Sequence, residues 1–157
     1  MNDKAVRRPI LRFKESEIKL SLHVMDQMQK PIELMYYLWK RENENPFVII
    51  FISAEDIELE SILEKEKRDT DLLFGIDKSC KLCAIICQET KVDGAYRFAE
   101  RILRTLKAEN ANKIYCTQME IRTTRYEIKD IIFKAIESYI IAKKENKEGE
   151  IIFKTLS

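Results

Sequence analysis

The sequence predicts an α+β sandwich, a mixed sheet with helices packed on one face. Three observations lead there. Short β-rich runs such as "FVIIFIS" (residues 47–53) alternate with segments whose apolar residues recur every three or four positions. The resulting order, α-α-β-α-β-β-α-β-α-β, contains one pair of consecutive strands across a short turn, which places an antiparallel hairpin inside a mixed sheet. The 157 residues, 45% hydrophobic and 35% charged, suit one soluble core of ordinary size.

Residues 1–14, with "RRPILRF", read as an arm. From Glu15 the pattern becomes helical, with Ile18, Leu22 and Met25 recurring at helical spacing. Pro31 opens a second helix, because its missing N–H costs nothing at the first position. Ile32, Met35, Leu38 and Trp39 fall close to one face of that helix. Together Leu34, Met35, Tyr36, Tyr37, Leu38 and Trp39 are apolar around more than half of it. Such a helix must be covered on most sides. Either it lies between the sheet and the first helix, or it meets a second copy or a partner protein.

After the Asn45-Pro46 break comes the buried strand, then a short amphipathic helix over "AEDIELESILEKEKR". "DLLFGI" and "LCAIICQ" flank "DKSCK" as a hairpin. Thr90 is placed to cap the next helix, with Asp93 at the capping-box position. Ala95, Phe98, Ile102, Leu103 and Leu106 form the apolar stripe of that helix. A strand ("KIYCTQMEI"), a long helix ("RYEIKDIIFKAIESYIIAKKEN") and a last strand behind Gly149 complete the chain. The expected division is 1–45, an arm and two added helices, and 46–157, the domain proper.

Composition excludes several classes. Lys+Arg number 28 against 27 Asp+Glu, without the basic excess of a nucleic-acid or anionic-membrane binder. No apolar run reaches the roughly 20 residues a membrane span needs. The N-terminus lacks an apolar h-region, so a cytoplasmic protein with reduced thiols is expected. "SCKLCAIIC" (residues 79–87) invites a metal or redox reading. However, Cys83 and Cys87 share one strand, and four residues at ~3.3 Å each set them roughly 13 Å apart, too far for one ion. Cys80 and Cys83 would have only Cys116 and His23 as further soft ligands. The cysteines are therefore expected to be buried free thiols, with no metal and no cofactor. His23 has no Ser, Cys or carboxylate partner legible in sequence.

Three stretches resemble the GGDEF domain of bacterial diguanylate cyclases, covering roughly residues 46–155. In "RDTDLLFGIDKSCKLCAIICQETKVDGAYRFAERI", Arg68, Asp71, Thr90, Gly94, Ala95, Ala99 and Glu100 follow the family's order. "AIESYIIAKKENKEGEII" is similar to the closing helix and strand, with Lys143 and Lys147 where the family reaches nucleotide phosphates. "NPFVIIFISAEDIE" looks like the first strand, which in the family ends in a metal-binding Asp-x-Asp. The resemblance implies a nucleotidyl-cyclase palm with a ferredoxin-like core. Its Arg-x-x-Asp motif, here Arg68 and Asp71, implies an inhibitory-type site for cyclic di-GMP. Without the resemblance, the same pair reads as a helix-end arginine in a local ion pair.

The departures from the family pattern bear on activity. Ser53 stands at the first metal aspartate, with Glu55 at the second acidic position. Residues 79–83, Ser-Cys-Lys-Leu-Cys, replace the signature, so Lys81 takes an acidic ligand's place and both glycines are gone. The segment between Ser53 and Arg68 is about half the family's length, which removes the part that holds guanine. Phosphoryl transfer depends on bound metal and positioning. The expected function is therefore a shortened, degenerate and non-catalytic signalling module that binds cyclic di-GMP, a partner protein or a second copy. The alternative is a structural interaction domain with no nucleotide site.

Overall fold

A strand apolar at nearly every position needs cover on both faces, and the architecture supplies it. The computed structural model describes residues 12–42, 46–79 and 81–156. Its elements are α1 (Glu15–Glu42), β1 (Phe47–Glu55), α2 (Leu59–Glu66), β2 (Asp71–Asp77), β3 (Leu82–Cys87), α3 (Val92–Ala108), β4 (Asn112–Ile121), α4 (Ile128–Lys144) and β5 (Ile151–Leu156). The sheet order is β2-β3-β1-β4-β5, with β1 antiparallel to β3 and β4, β2 antiparallel to β3, and β5 parallel to β4. The predicted α+β class with a mixed sheet is what the chain adopts.

Side chains alternate across β1. Phe47, Ile49 and Phe51 join Leu82, Ala84 and Ile86 of β3 and Met119 and Ile121 of β4 against α1 and α4. Val48, Ile50 and Ile52 join Cys83, Ile85 and Cys87 against Leu59 and Leu63 of α2 and Ala95, Phe98, Ile102 and Leu106 of α3. The expectation of helices on one face is thus corrected to helices on both. β1 already carried the reason, since Phe47 through Ala54 are all buried and an uncovered face would expose four of them. Each fully buried Ile or Phe there is worth about 1.5–3 kcal/mol.

The two N-terminal helices are also corrected, to one. Pro31 lies inside α1, half-buried, and the helix continues through it to Glu42. The ring removes one hydrogen bond, to the carbonyl four residues back, which usually kinks or ends a helix. Here Val24 and Met28 before it and Ile32, Met35 and Trp39 after it lie on one buried stripe against the same core. Tertiary burial on both sides of the proline outweighs the lost bond. Ile18 and Leu22, whose spacing marked the helix, are exposed (51% and 55%), as are Leu34 and Tyr37. The apolar helix is therefore half-covered within the chain, by α4, the sheet and the β2 edge.

Lys144 fastens the start of α1 to the end of α4. Its Nζ donates to the Arg12 carbonyl (2.7 Å), pairs with Glu17 (3.2 Å) and sits 4.8 Å from the Phe13 ring. Farther along, the Tyr36 hydroxyl donates to the Tyr126 carbonyl at 2.8 Å. Thr90 is not the N-cap of α3. Lys91 occupies that position with no side-chain cap, and the Thr90 hydroxyl is used elsewhere.

Candidate functional site

Two clefts flank the β2–β3 hairpin. The larger, about 720 Å³, lies between the hairpin and the first turns of α2. Its floor is Leu59, Leu82 and Cys83. Its rims carry Glu58 just before α2, Glu60 and Glu64 on it, and Lys78 and Lys81 on the hairpin. Lys81 closes the turn in the left-handed region (φ 51°), donating its N–H to the Lys78 carbonyl and accepting from the Ala54 N–H. Cys80 lies outside the described residues. Among those described, no three His, Cys, Asp or Glu side chains converge as a metal cluster.

Ser53, at the position matched to the family's metal aspartate, is directed away from this cleft. Strand alternation puts it on the α4 face with Phe51, where it is 3% exposed and its Oγ accepts from the Tyr139 hydroxyl at 2.7 Å. Glu55 ends β1 exposed to solvent. Lys143 and Lys147 line neither cleft. Lys143 is exposed near the Tyr139 ring (5.9 Å), and the Lys147 backbone N–H closes the end of α4 on the Ala142 carbonyl. His23 is an exposed residue of α1.

The second cleft, about 570 Å³, opens where α2 ends, β2 begins and α3 starts. Arg68 and Asp71 meet there. Asp71 opens β2 opposite Cys87, and its side chain is 1% exposed. Its Oδ2 accepts the Arg68 backbone N–H (2.8 Å). Its Oδ1 accepts Arg68 Nε (3.0 Å) and Nη2 (2.7 Å). Nη2 also donates to the Gln88 carbonyl (2.9 Å) and Thr90 Oγ1 (2.8 Å). The Thr90 hydroxyl in turn donates to Gln88 O at 2.7 Å. Hydrogen bonding to Asp71 raises the guanidinium pKa above its already high ordinary value, so the charge is permanent.

The result is an arginine pinned by Asp71 of β2 and by Gln88 and Thr90 of the β3–α3 connection, with its side chain still 52% exposed at the cleft. Asp71 is fully engaged by Arg68 and positions it. The same cleft gathers Lys91, Arg97 and Arg101. Arg97 makes no hydrogen bond or ion pair among the described residues. Arg101 is bonded to Glu66 through Nε (3.1 Å) and to its carbonyl through Nη2 (3.0 Å), and lies 5.1 Å from the Phe98 ring centre. Sequence reasoning missed Arg97. Its signal was available, since it lies on α3 two and three residues beyond Ala95 and Gly94, within the stretch that resembles the family.

The described cysteines are buried free thiols. Burial pushes Cys83 and Cys116 up to about 12 and Cys87 higher still, so all three stay protonated at neutral pH. Cys83 and Cys116 pair with Ile52 from opposite sides, two strand spacings apart, roughly 10 Å. That separation excludes a disulfide between them in this fold.

No family model matches the chain, and no curated protein matches it in sequence. Solved structures do match. One is a microbial GGDEF domain described in a novel interaction mode with bis-(3′,5′)-cyclic di-GMP: TM-score 0.61, 12% identity, 87% of this chain and 92% of that one. Another is the GGDEF domain of DgcB from Caulobacter crescentus in complex with c-di-GMP: TM-score 0.57, 6% identity, 94% of this chain and 98% of that one. A third is the diguanylate cyclase SiaD from Pseudomonas aeruginosa in complex with its activator SiaC: TM-score 0.57, 11% identity, 80% of this chain. There the match spans 57% of the longer protein. The chain has the fold of a GGDEF domain.

Proposed function

We propose that this GGDEF-fold chain is a non-catalytic signalling module. It receives cyclic di-GMP at the Arg68 cleft and acts by binding a partner protein. The carrying observation is the preorganised Arg68 guanidinium, locked by Asp71, Gln88 and Thr90 yet half exposed in the cleft that Arg97, without a hydrogen bond or ion pair among the described residues, also lines. Arg68 Nη1, which none of these bonds uses, is left to donate to a phosphate oxygen or a guanine acceptor at the open cleft, and the ordering entropy of the side chain is already spent within the protein. In this reading Arg68 and Arg97 contact the ligand, while Asp71 is a positioning residue. The non-catalytic part rests on Ser53, held by Tyr139 in the core, and on Lys81 at the turn.

One observation favours a second reading, a structural interaction domain without nucleotide. The Arg68–Asp71 pair is complete without any ligand, tying the start of β2 to the end of β3. Titration calorimetry with cyclic di-GMP on the wild type and on Arg97→Ala separates the two. Binding that weakens at least tenfold in Arg97→Ala, which leaves the Arg68 lock intact, supports the receptor. No heat from the wild type at about 100 μM ligand, corresponding to weaker than roughly −5.5 kcal/mol, removes it. Incubation with GTP and magnesium is expected to give no cyclic product, and clear turnover would overturn the non-catalytic reading.

A further inference from the structure

The basic rim of the Arg68 cleft does not stop at the cleft. Arg97, Arg101 and Arg104 recur at i, i+4 and i+7 on α3, so they stand in one row over about 10 Å of helix. All three are exposed. Arg104 lies beyond the cleft lining and, like Arg97, makes no hydrogen bond or ion pair among the described residues. Arg101 between them is held in place by Glu66 and Phe98. The chain as a whole is near neutral (+1), so this row is a local feature. Of the acids around the row, Asp71 is paired with Arg68 and Glu66 with Arg101, while Glu89 and Asp93 line the cleft and Glu100 lies on the same helix.

We infer that this face of α3 docks an acidic segment of a partner protein, and that the segment and the cleft ligand compete because they share Arg97. The length and pattern of the row select the partner class. Three arginines over one helix face match two or three discrete carboxylates. Asp93 and Glu100, exposed on the same helix, would repel a continuous polyphosphate backbone. A protein segment can set its own cations opposite those acids, which a nucleic acid cannot. Competition rests on the cyclic di-GMP reading above; docking of the acidic segment does not. Occupancy of the cleft would then be passed on as release of the partner, with no change of fold required.

The test is fluorescence anisotropy of a labelled peptide of Glu-Ala-Ala-Glu repeats at about 50 mM salt, where screening is weak, with a Lys-Ala-Ala-Lys peptide as control. The acidic peptide is expected to bind, and Arg104→Glu to weaken it about fivefold or more while leaving cyclic di-GMP affinity unchanged. Saturating cyclic di-GMP is expected to release the peptide from the wild type. Absence of acidic-peptide binding, or binding indifferent to Arg104→Glu, overturns the docking surface. Simultaneous binding of peptide and nucleotide overturns the competition. If cyclic di-GMP itself does not bind while the peptide does and needs Arg104, the receptor reading fails and the docking surface stands.

Discussion

Replacing Arg68 by alanine tests whether the Arg68–Asp71 pair holds the β2 start in place. The wild-type carboxylate of Asp71 is 1% exposed and accepts three hydrogen bonds, two of them from the guanidinium. The substitution removes those two and leaves a buried anion with one backbone donor. Gln88 O keeps the Thr90 hydroxyl, so no carbonyl is orphaned there. Breaking a fully buried pair by deleting one partner costs about 3–5 kcal/mol. Half of the Arg68 side chain faces solvent, and water can enter the space it leaves, so the expected loss falls to about 2–3 kcal/mol. Urea denaturation at neutral pH measures it. Asp71→Asn is expected to lose less, about 1–2 kcal/mol, because the amide oxygen still accepts. The double variant should be less destabilised than the sum of the two, since the carboxylate is no longer stranded. If Arg68→Ala stays within about 0.5 kcal/mol of wild type, the scatter of surface substitutions, the pair does not hold the turn. The Arg68 guanidinium would then not be preorganised by Asp71.

Other consequences are accessible to simpler measurements. Ser53→Asp puts a carboxylate into the Tyr139-side core and is expected to cost at least about 3 kcal/mol; magnesium should not restore the melting temperature, and a metal-dependent rise would show that the position can be a metal site after all. Lys81→Gly relieves a left-handed lysine (φ 51°), and thermal unfolding should show a gain of about 0.5 kcal/mol once the added chain entropy of glycine is subtracted; a loss would mean the Lys81 side chain contributes to the turn. Cys83 and Cys116 (to about 12) and Tyr36 (to about 12) are all raised by burial. An acid whose folded pKa is raised contributes stability below its unfolded value that is lost as pH climbs toward the folded one. Chemical denaturation should therefore show stability falling above about pH 9, and a flat profile to pH 11 would refute burial of these groups. In the native state at pH 8, Cys83, Cys87 and Cys116 should resist thiol reagents that label them quickly in urea.

Most elements were legible because local patterns dictate them. The 3.6-residue stripe of Ala95, Phe98, Ile102 and Leu106 lands as a buried helix face, and the hairpin around Lys78–Lys81 follows from two apolar runs across a polar turn. The Arg68–Asp71 spacing was also readable, since an i, i+3 pair at a strand start is a local matter. What failed were readings that depend on distant neighbours. Pro31 carries a break signal in any local window, yet burial of residues on both sides of it against α4 and the sheet keeps α1 whole. Thr90 has the composition of a cap, but a longer-range donor, Arg68, takes its hydroxyl.

By itself, then, the sequence determined the α+β class, the order of strands and helices from β1 onward, and the local pairing of Arg68 with Asp71. Tertiary structure decided that the sheet is covered on both faces, that Asp71 is buried and spent on Arg68, and that Arg97 and Arg101 reach the same cleft from another element. The division has a physical cause. Periodicity and turn chemistry act over a few residues, whereas burial and the convergence of side chains depend on which segments, 20 to 90 residues apart, come to share a surface.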